Sequence, residues 1–345
     1  MRSTGEHDVI AAVDAAAARC GDRVVIAVSG GGDSTALAVA AAEVRDARCG
    51  RPHLLLAHLN HSVRHPDVHR GEEAAVRSLA DRLGVAVVVG NLAADTAVPV
   101  RRRGGLEAQL RSARYGFLRR VCEHTGATNL WTAHTVDDQV ETVAMRLLQS
   151  DALAPLSGIP DRRLLGPDPP VEIVRPLLGV TGGALRLFLR ERGIGWCSDA
   201  SNADPVHRRN YVRRDVLPGV EGEWPAVRSD LLVLARAAAA ERRRLDAWAA
   251  AIDVVVRDDL VVVDARAFYS ATAEMRLHLL YSVLADAGFL SRRDRPSRAF
   301  FAPLLGQAPD RPRLVIRGRG MTIAFAGNRL TFGRVVGGGE TRYLR

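Results

Sequence analysis

The sequence predicts an α/β protein built on a doubly wound parallel sheet, followed by a smaller, mostly helical region and a terminal β unit. Two observations carry that expectation. Over the first ~200 residues, short, continuous apolar runs rich in β-branched residues alternate with amphipathic stretches of helical period, as in layered α/β domains. Beyond them the pattern changes to long helix-forming segments and then to strict alternation near the end.

The elements follow in order. Candidate strands are Val24–Val28, Leu54–Leu59, Ala86–Val89, Leu130–Ala133 and Glu172–Val174. Their apolar continuity suits strands covered on both faces. Candidate helices are Ile10–Arg19, Ser34–Arg45, Arg70–Leu83, Leu106–His124, Asp137–Leu148 and Gly183–Arg192. The Gly/Pro-rich stretch Leu164–Glu172 reads as a surface loop. Leu231–Trp248 is a strong helix former, with its arginine run as a solvated face, and more helix is expected near Thr272–Ala287. Arg313–Phe332 alternates like a small antiparallel unit with Gly327-Asn328 as its turn. No internal repeat is evident. These readings divide the chain into a catalytic domain over 1–218, a helical linker and RNA-binding region over 219–310, and a small β unit with a tail over 311–345.

Composition narrows the classes. The 345 residues carry a formal charge of +9 and a pI near 10.3, which fits a polyanionic partner. All 48 residues in the Lys+Arg count are arginine. A GC-rich coding bias would produce this, and arginine is also the better fork for phosphate. Cys20, Cys49, Cys122 and Cys197 are far apart, without a CxxC pair, which argues against a zinc ribbon, an iron–sulfur site or a disulfide framework. No apolar run is long enough to suggest a membrane helix, and the first residues lack a signal-peptide pattern, so a cytoplasmic location without membrane partners is expected.

The chemistry is concentrated in five segments. The first is "RVVIAVSGGGDSTAL", Arg23–Leu37: a strand, a glycine loop and a helix start. Glycines let backbone N–H groups approach a phosphate, and the helix N-terminus favours the anion. Ser34 is placed to cap the helix and to donate to a phosphate oxygen. A Walker A loop would end in Gly-Lys-Ser/Thr, and a dinucleotide fingerprint would have glycine where Thr35 stands; neither holds. The second is "HLNHSVR", His58–Arg64, and the third is "AHTVDDQVET", Ala133–Thr142, each after a strand. In doubly wound sheets ligands bind beyond the C-terminal strand ends, where all three converge. Asp137 and Glu141 are four apart and share a helix face, with Val136, Val140, Val143 and Leu147 as the apolar stripe. His58, His61 and His134 lack metal-ligand spacing. The fourth is "GLEAQLRSARYGFLRR", Gly105–Arg120, with Arg111 and Arg114 on one face. The fifth, Trp196–Pro218, leads a polar loop into a helix with Arg208, Arg209, Arg213 and Arg214.

The glycine loop resembles that of the N-type ATP pyrophosphatases, the PP-loop superfamily with its adenine nucleotide α hydrolase-like fold. "HLNHSVR", "RSARY", "HTVDDQVET" and the Asp199–Arg213 pattern together resemble the tRNA(Ile)-lysidine synthetase family, from Val24 to about Pro218. The resemblance implies Mg-ATP, free L-lysine and a tRNA(Ile) with a CAU anticodon as partners, and leaves room for a homodimer. In that family the wobble cytidine is adenylated, pyrophosphate leaves, and lysine displaces AMP. It implies that Ser29, Gly30, Gly31, Gly32, Asp33, Ser34, His58, Asn60 and His134 bind ATP, and that Asp33 and Asp137 hold Mg2+ or the lysine amine. Catalysis would fall to Asp33, Arg114, Asp137, Asp138 and Glu141. RNA binding would fall to Arg64, Arg111, Arg208, Arg209, Asn210, Arg213 and Arg214. The chain departs from the family at "LLQSDALAPLSGIP", which lacks the expected basic glycine-containing stretch near Gln149–Ala154. A PP-loop ligase for another amine or a small-molecule acceptor is the alternative. A thiolating enzyme would need paired cysteines, and a non-catalytic RNA-binding protein would not need the intact aspartates.

Overall fold

The computed structural model describes residues 4–60, 66–92, 106–149, 153–197, 208–257, 260–290, 296–306, 313–318 and 320–334. The chain divides into two compact units, one comprising 1–152 and 156–235 and the other 153–155 and 236–345. The second unit therefore starts inside a long helix, seventeen residues beyond the boundary drawn from the sequence.

In the first unit, helix α1 (Thr4–Ala17) precedes strand β1 (Arg23–Ala27), α2 (Gly32–Ala47), β2 (His53–Asn60), α3 (Pro66–Leu83) and β3 (Ala86–Asn91). Then come α4 (Leu106–Thr125), β4 (Asn129–Trp131), α5 (Val136–Leu147), β5 (Arg162–Pro167), β6 (Pro170–Val174) and α6 (Gly182–Glu191). The six strands pair in the order β3-β2-β1-β4-β6-β5. All pairs are parallel except β5 with β6. The stretch Leu164–Glu172, expected to be a surface loop, is thus largely strand: Gly/Pro composition marked its turn and hid the edge strand β5 and the start of β6.

Alternation along the central strands decides the two layers. Val24 and Ile26 of β1 join a core with α1, α2, α3 and α6, while Val25 joins Phe117, Leu118 and Val121 of α4 on the opposite face. The strands read as continuous apolar runs because both faces are buried. Burial pushes the Cys122 thiol up to about 12. α5 packs through Val140, Val143 and Ala144 on Val212, Leu217, Val227, Leu231 and Ala235. Leu147, assigned to that stripe from spacing, is 49% exposed at the end of the helix.

After α6, helix α7 (Arg208–Tyr211) continues through a π-helical turn (Val212–Val216) into α8 (Leu217–Glu223), and α9 spans Val227–Ala250. The second unit contains β7 (Val254–Arg257), β8 (Leu260–Asp264), α10 (Ala265–Ser270), α11 (Ala273–Asp286), α12 (Arg298–Leu305), β9 (Arg313–Gly318), β10 (Met321–Ala326) and β11 (Arg329–Arg334). Its five strands form an antiparallel sheet in the order β7-β8-β11-β10-β9. The Gly327-Asn328 turn joins β10 to β11, and Gly327 has φ +57°. β7 and β8, in a segment read as helical linker, belong to this same sheet; "VVVRDDLVVV" is their sequence signal. Phe268, Phe301 and Phe332, all fully buried, lie in this unit's core. Among the described residues no helix is long and apolar enough to cross a membrane.

Candidate functional site

β1 has β2 on one side and β4 on the other, so strand order reverses there, and doubly wound sheets bind their ligands beyond the carboxyl ends at such a point. The glycine loop leaves β1 at this point. Gly30 has φ +87°, a conformation open to glycine without a Cβ penalty. A Cβ on Gly32 would lie 3.3 Å from the Trp196 ring, so the loop packs closely there as well. The Cys197 N–H donates to the Gly30 carbonyl at 3.0 Å and ties the later segment to the loop.

α2 starts at Gly32 with Gly31 as its N-cap, two residues before the sequence placed it. Ser34 is consequently inside the first turn and is not the cap. Its Oγ accepts from the Ser29 N–H at 3.1 Å and donates to the Gly31 carbonyl at 3.0 Å. Ser34 braces the loop from within.

His58, at the end of β2, is 2% exposed. Its Nδ1 donates to the Val28 carbonyl at 2.9 Å, and its Nε2 lies 2.9 Å from Asn60 Oδ1. Asn60 Nδ2 donates to Glu73 of α3 at 2.7 Å. Both imidazole nitrogens are committed, so His58 and Asn60, expected among the nucleotide contacts, brace the base of the loop through their side chains.

α5 begins at the end of β4 through a reciprocal cap. The Thr135 N–H donates to Asp138 Oδ2 at 2.8 Å, and the Asp138 N–H donates to Thr135 Oγ1 at 3.4 Å. That fixes three carboxylates. Asp137 Oδ2 accepts the Gly182 N–H from the start of α6 at 2.9 Å, and Arg228 stands 3.7 Å from its other oxygen. A Cβ on Gly182 would sit 3.1 Å from Asp137 and 3.8 Å from Asp33, so both aspartates face the same small space. Burial and then the Asp138 charge raise the Asp33 pKa, opposed by Arg186, with Asp137 adding to the rise.

Glu141 is 2% exposed. Arg209 Nε donates to it at 2.7 Å and Arg213 Nε at 2.5 Å, while Arg209 Nη2 reaches Asp138 at 2.6 Å. A buried carboxylate needs such partners. Arg209 and Arg213, expected to contact RNA, pair with these two carboxylates, and Asn210 between them is buried. Arg208 and Arg214 are exposed.

His134 hydrogen-bonds Thr132 Oγ1 at 3.0 Å, and burial, then Arg175, lower its pKa to about 4, so it is neutral at pH 7. The Arg111 guanidinium lies 5.2 Å from the Tyr115 ring centroid. Desolvation lowers the pKa of Arg114, and neighbouring Arg111 adds to this, against an opposing effect of Tyr115. Arg64 and His61 lie outside the described residues, as do residues 198–207 and 150–152 of the two motif stretches.

Sequence reasoning missed Gly182, Arg186, Arg228 and Trp196. Only Thr181, which caps α6 by accepting the Ala184 N–H, left a local signal for the helix start that delivers Gly182. Among the described residues no group of three His, Cys, Asp or Glu side chains is arranged to hold a metal. Two aspartates facing one space do match a cation that takes its remaining ligands from phosphates and water.

A family profile described as a PP-loop domain matches residues 6–220. The chain belongs to that family, as the reversal point, the lysine-free glycine loop and the parallel sheet require. A solved structure of the U34-tRNA thiolase NcsA from Methanococcus maripaludis shares the fold, with TM-score 0.53 at 15% identity over 70% of this chain and 77% of that one. Curated relatives are more specific. A tRNA(Ile)-lysidine synthase of Thermus thermophilus is 42% identical over 67% of this chain, and one of Ralstonia nicotianae is 35% identical over 83%. The chain spans 42% and 60% of those two relatives' lengths. A third, from a Bradyrhizobium species, is 35% identical over 77% of this chain and 74% of its own length. Within the PP-loop proteins, the chain belongs to the tRNA(Ile)-lysidine synthase family.

Proposed function

We propose that the protein ligates lysine to C2 of the wobble cytidine of a CAU-anticodon tRNA(Ile), using ATP and releasing AMP and pyrophosphate. The observation that carries this is the meeting of Asp33 and Asp137 over Gly182, directly beside the lysine-free glycine loop. Such a loop suits a leaving pyrophosphate. The paired carboxylates suit a cationic amine or a magnesium ion.

In this reading the cytidine O2 attacks the α-phosphorus, the Pα–O–Pβ bond breaks and pyrophosphate departs. The lysine ε-amine then attacks C2, the C2–O2 bond breaks with AMP as leaving group, and the amine gives up a proton. Backbone N–H groups from Gly30 to Ser34 face the phosphates. A bound Mg2+ would supply charge neutralisation at those phosphates, held by Asp33 and Asp137. Arg114 stabilises negative charge that develops at the α-phosphate. Asp138 and Glu141 fix the arginines behind the site. Asp137 or a neighbouring carboxylate takes the amine proton. The soluble partners of this reaction are ATP, lysine and tRNA.

The test is one incubation with Mg-ATP, labelled lysine and unmodified CAU-anticodon tRNA(Ile), beside a methionine tRNA control. Label confined to the isoleucine tRNA, with AMP and pyrophosphate formed, is expected. Asp137→Ala should abolish that label while tRNA still binds; near-normal turnover would remove Asp137 from the chemistry. AMP formed only with another amine or a small-molecule acceptor would replace the reading with a different adenylating ligase, the alternative that the unusual stretch Gln149–Ala154 favours.

A further inference from the structure

A second concentration of charge lies at the carboxyl edge of β6. Arg175 follows that strand, Arg163 of β5 pairs with Ile173 of β6, and Arg111 and Tyr115 come from α4. Arg175 is 4% exposed. Its Nη1 donates to the Pro160 carbonyl at 2.6 Å, yet its buried Nε has no partner. The Arg111 and Arg163 guanidinium carbons stand 5.2 and 5.6 Å from the Tyr115 ring centroid.

Two guanidinium groups therefore gather on one phenol ring, and the buried guanidinium of Arg175 lies within electrostatic reach of both. Burial lowers the Arg175 pKa first; Tyr115 opposes this, while Arg163 and Arg111, both of the same sign as Arg175, lower it further. A buried guanidinium is ordinarily balanced by an anion, and like charges in a desolvated place repel. The planar fork of arginine matches phosphate oxygens, and an aromatic face holds such a fork in place. β6 is two strand positions from β1, so this cluster lies roughly 10 Å across the sheet from the glycine loop. A phosphate held here is a different one from those on the loop.

We infer that Arg111 and Arg163, held on Tyr115, and the neighbouring Arg175 bind a backbone phosphate of the RNA strand entering the site. This rests on the tRNA reading above. Arg163 and Arg175 then position substrate beside the reacting base.

The experiment measures binding of unmodified CAU-anticodon tRNA to the full chain across a salt series. Arg163→Gln should weaken binding about three- to tenfold and reduce the slope of log K against log salt by about 0.7–0.9, one phosphate contact. Arg175→Gln should do the same. Should that buried substitution prevent folding, Tyr115→Leu removes the aromatic face that holds Arg111 and Arg163, and should also weaken binding. Arg163→Lys should restore most of the slope and only part of the affinity, because the charge returns without the fork. ATP affinity, measured by nucleotide titration, should stay at the wild-type value in Arg163→Gln. A loss of ATP affinity with an unchanged salt slope would assign the phosphate to the nucleotide and overturn the inference. Wild-type binding with unaltered slopes in every folded variant would overturn it and leave the proposed reaction standing. A wild-type protein that binds no tRNA would overturn both.

Discussion

Asp33 and His134 carry opposite electrostatic burdens. Burial and its carboxylate neighbours raise the Asp33 pKa above the ordinary 3.8, so the folded chain holds that proton more tightly than the unfolded chain. Stability then falls as pH rises from 3.8 through the raised value, and stays lower above it. Asp33→Asn should melt at a higher temperature than wild type at pH 7, with the gap closing toward acid; coincident melting curves would mean that the repulsion is absent. His134 behaves the other way. Its pKa falls from 6.5 to about 4, so stability is lost as pH drops through that window. His134→Gln should flatten that limb of the stability profile, and an unchanged limb would place the acid sensitivity elsewhere. The identities of these residues were legible from the motifs, since each follows or ends a strand. Their partners were not. Nothing in the spacing of "SGGGDS", "VDDQVE" and "VTGGAL" states that Asp33, Asp137 and Gly182 share one space.

Elements carry the next level of control. The strand–loop–helix unit at β1 works because the backbone turns through Gly30 at φ +87°. Gly30→Ala should cost about 1–2 kcal/mol in chemical denaturation and weaken nucleotide binding in titration. A variant with native stability and affinity would show that the loop relaxes freely. Helix and strand positions in the first unit were readable because burial on two faces leaves continuous apolar strands and periodic helices between them. Of the β5–β6 hairpin only Glu172–Val174 was readable; β5 and the turn carry the Pro and Gly composition of a loop, which an edge strand tolerates. The same limit applied to Arg209 and Arg213: a basic helix reads as an RNA-facing surface, and only the fold reveals Glu141 buried beneath it.

At the scale of the whole molecule, each unit buries its own core: the first on the two faces of its mostly parallel sheet and around α5, the second around the antiparallel sheet. Phe332 of β11 is fully buried in the second. Phe332→Ala should destabilise the protein by about 3–5 kcal/mol, read as a lower denaturation midpoint. A loss below 1 kcal/mol would mean that the cavity collapses. The cationic side of the chain's +9 net charge is arginine alone, so the proposed tRNA binding should weaken as salt rises.

Sequence by itself determined the fold class, the three motif-bearing strand ends and the lysine-free glycine loop. Those depend on periodicity, glycine conformation and side-chain type, which are local properties. Tertiary structure decided which charges meet. Gly182 and Asp137 are 45 residues apart in a hydrogen bond, and Arg209 and Asp138 are 71 apart in another. Pairing at such separations is set by how sheet and helices pack, because buried charges settle wherever the fold supplies a partner.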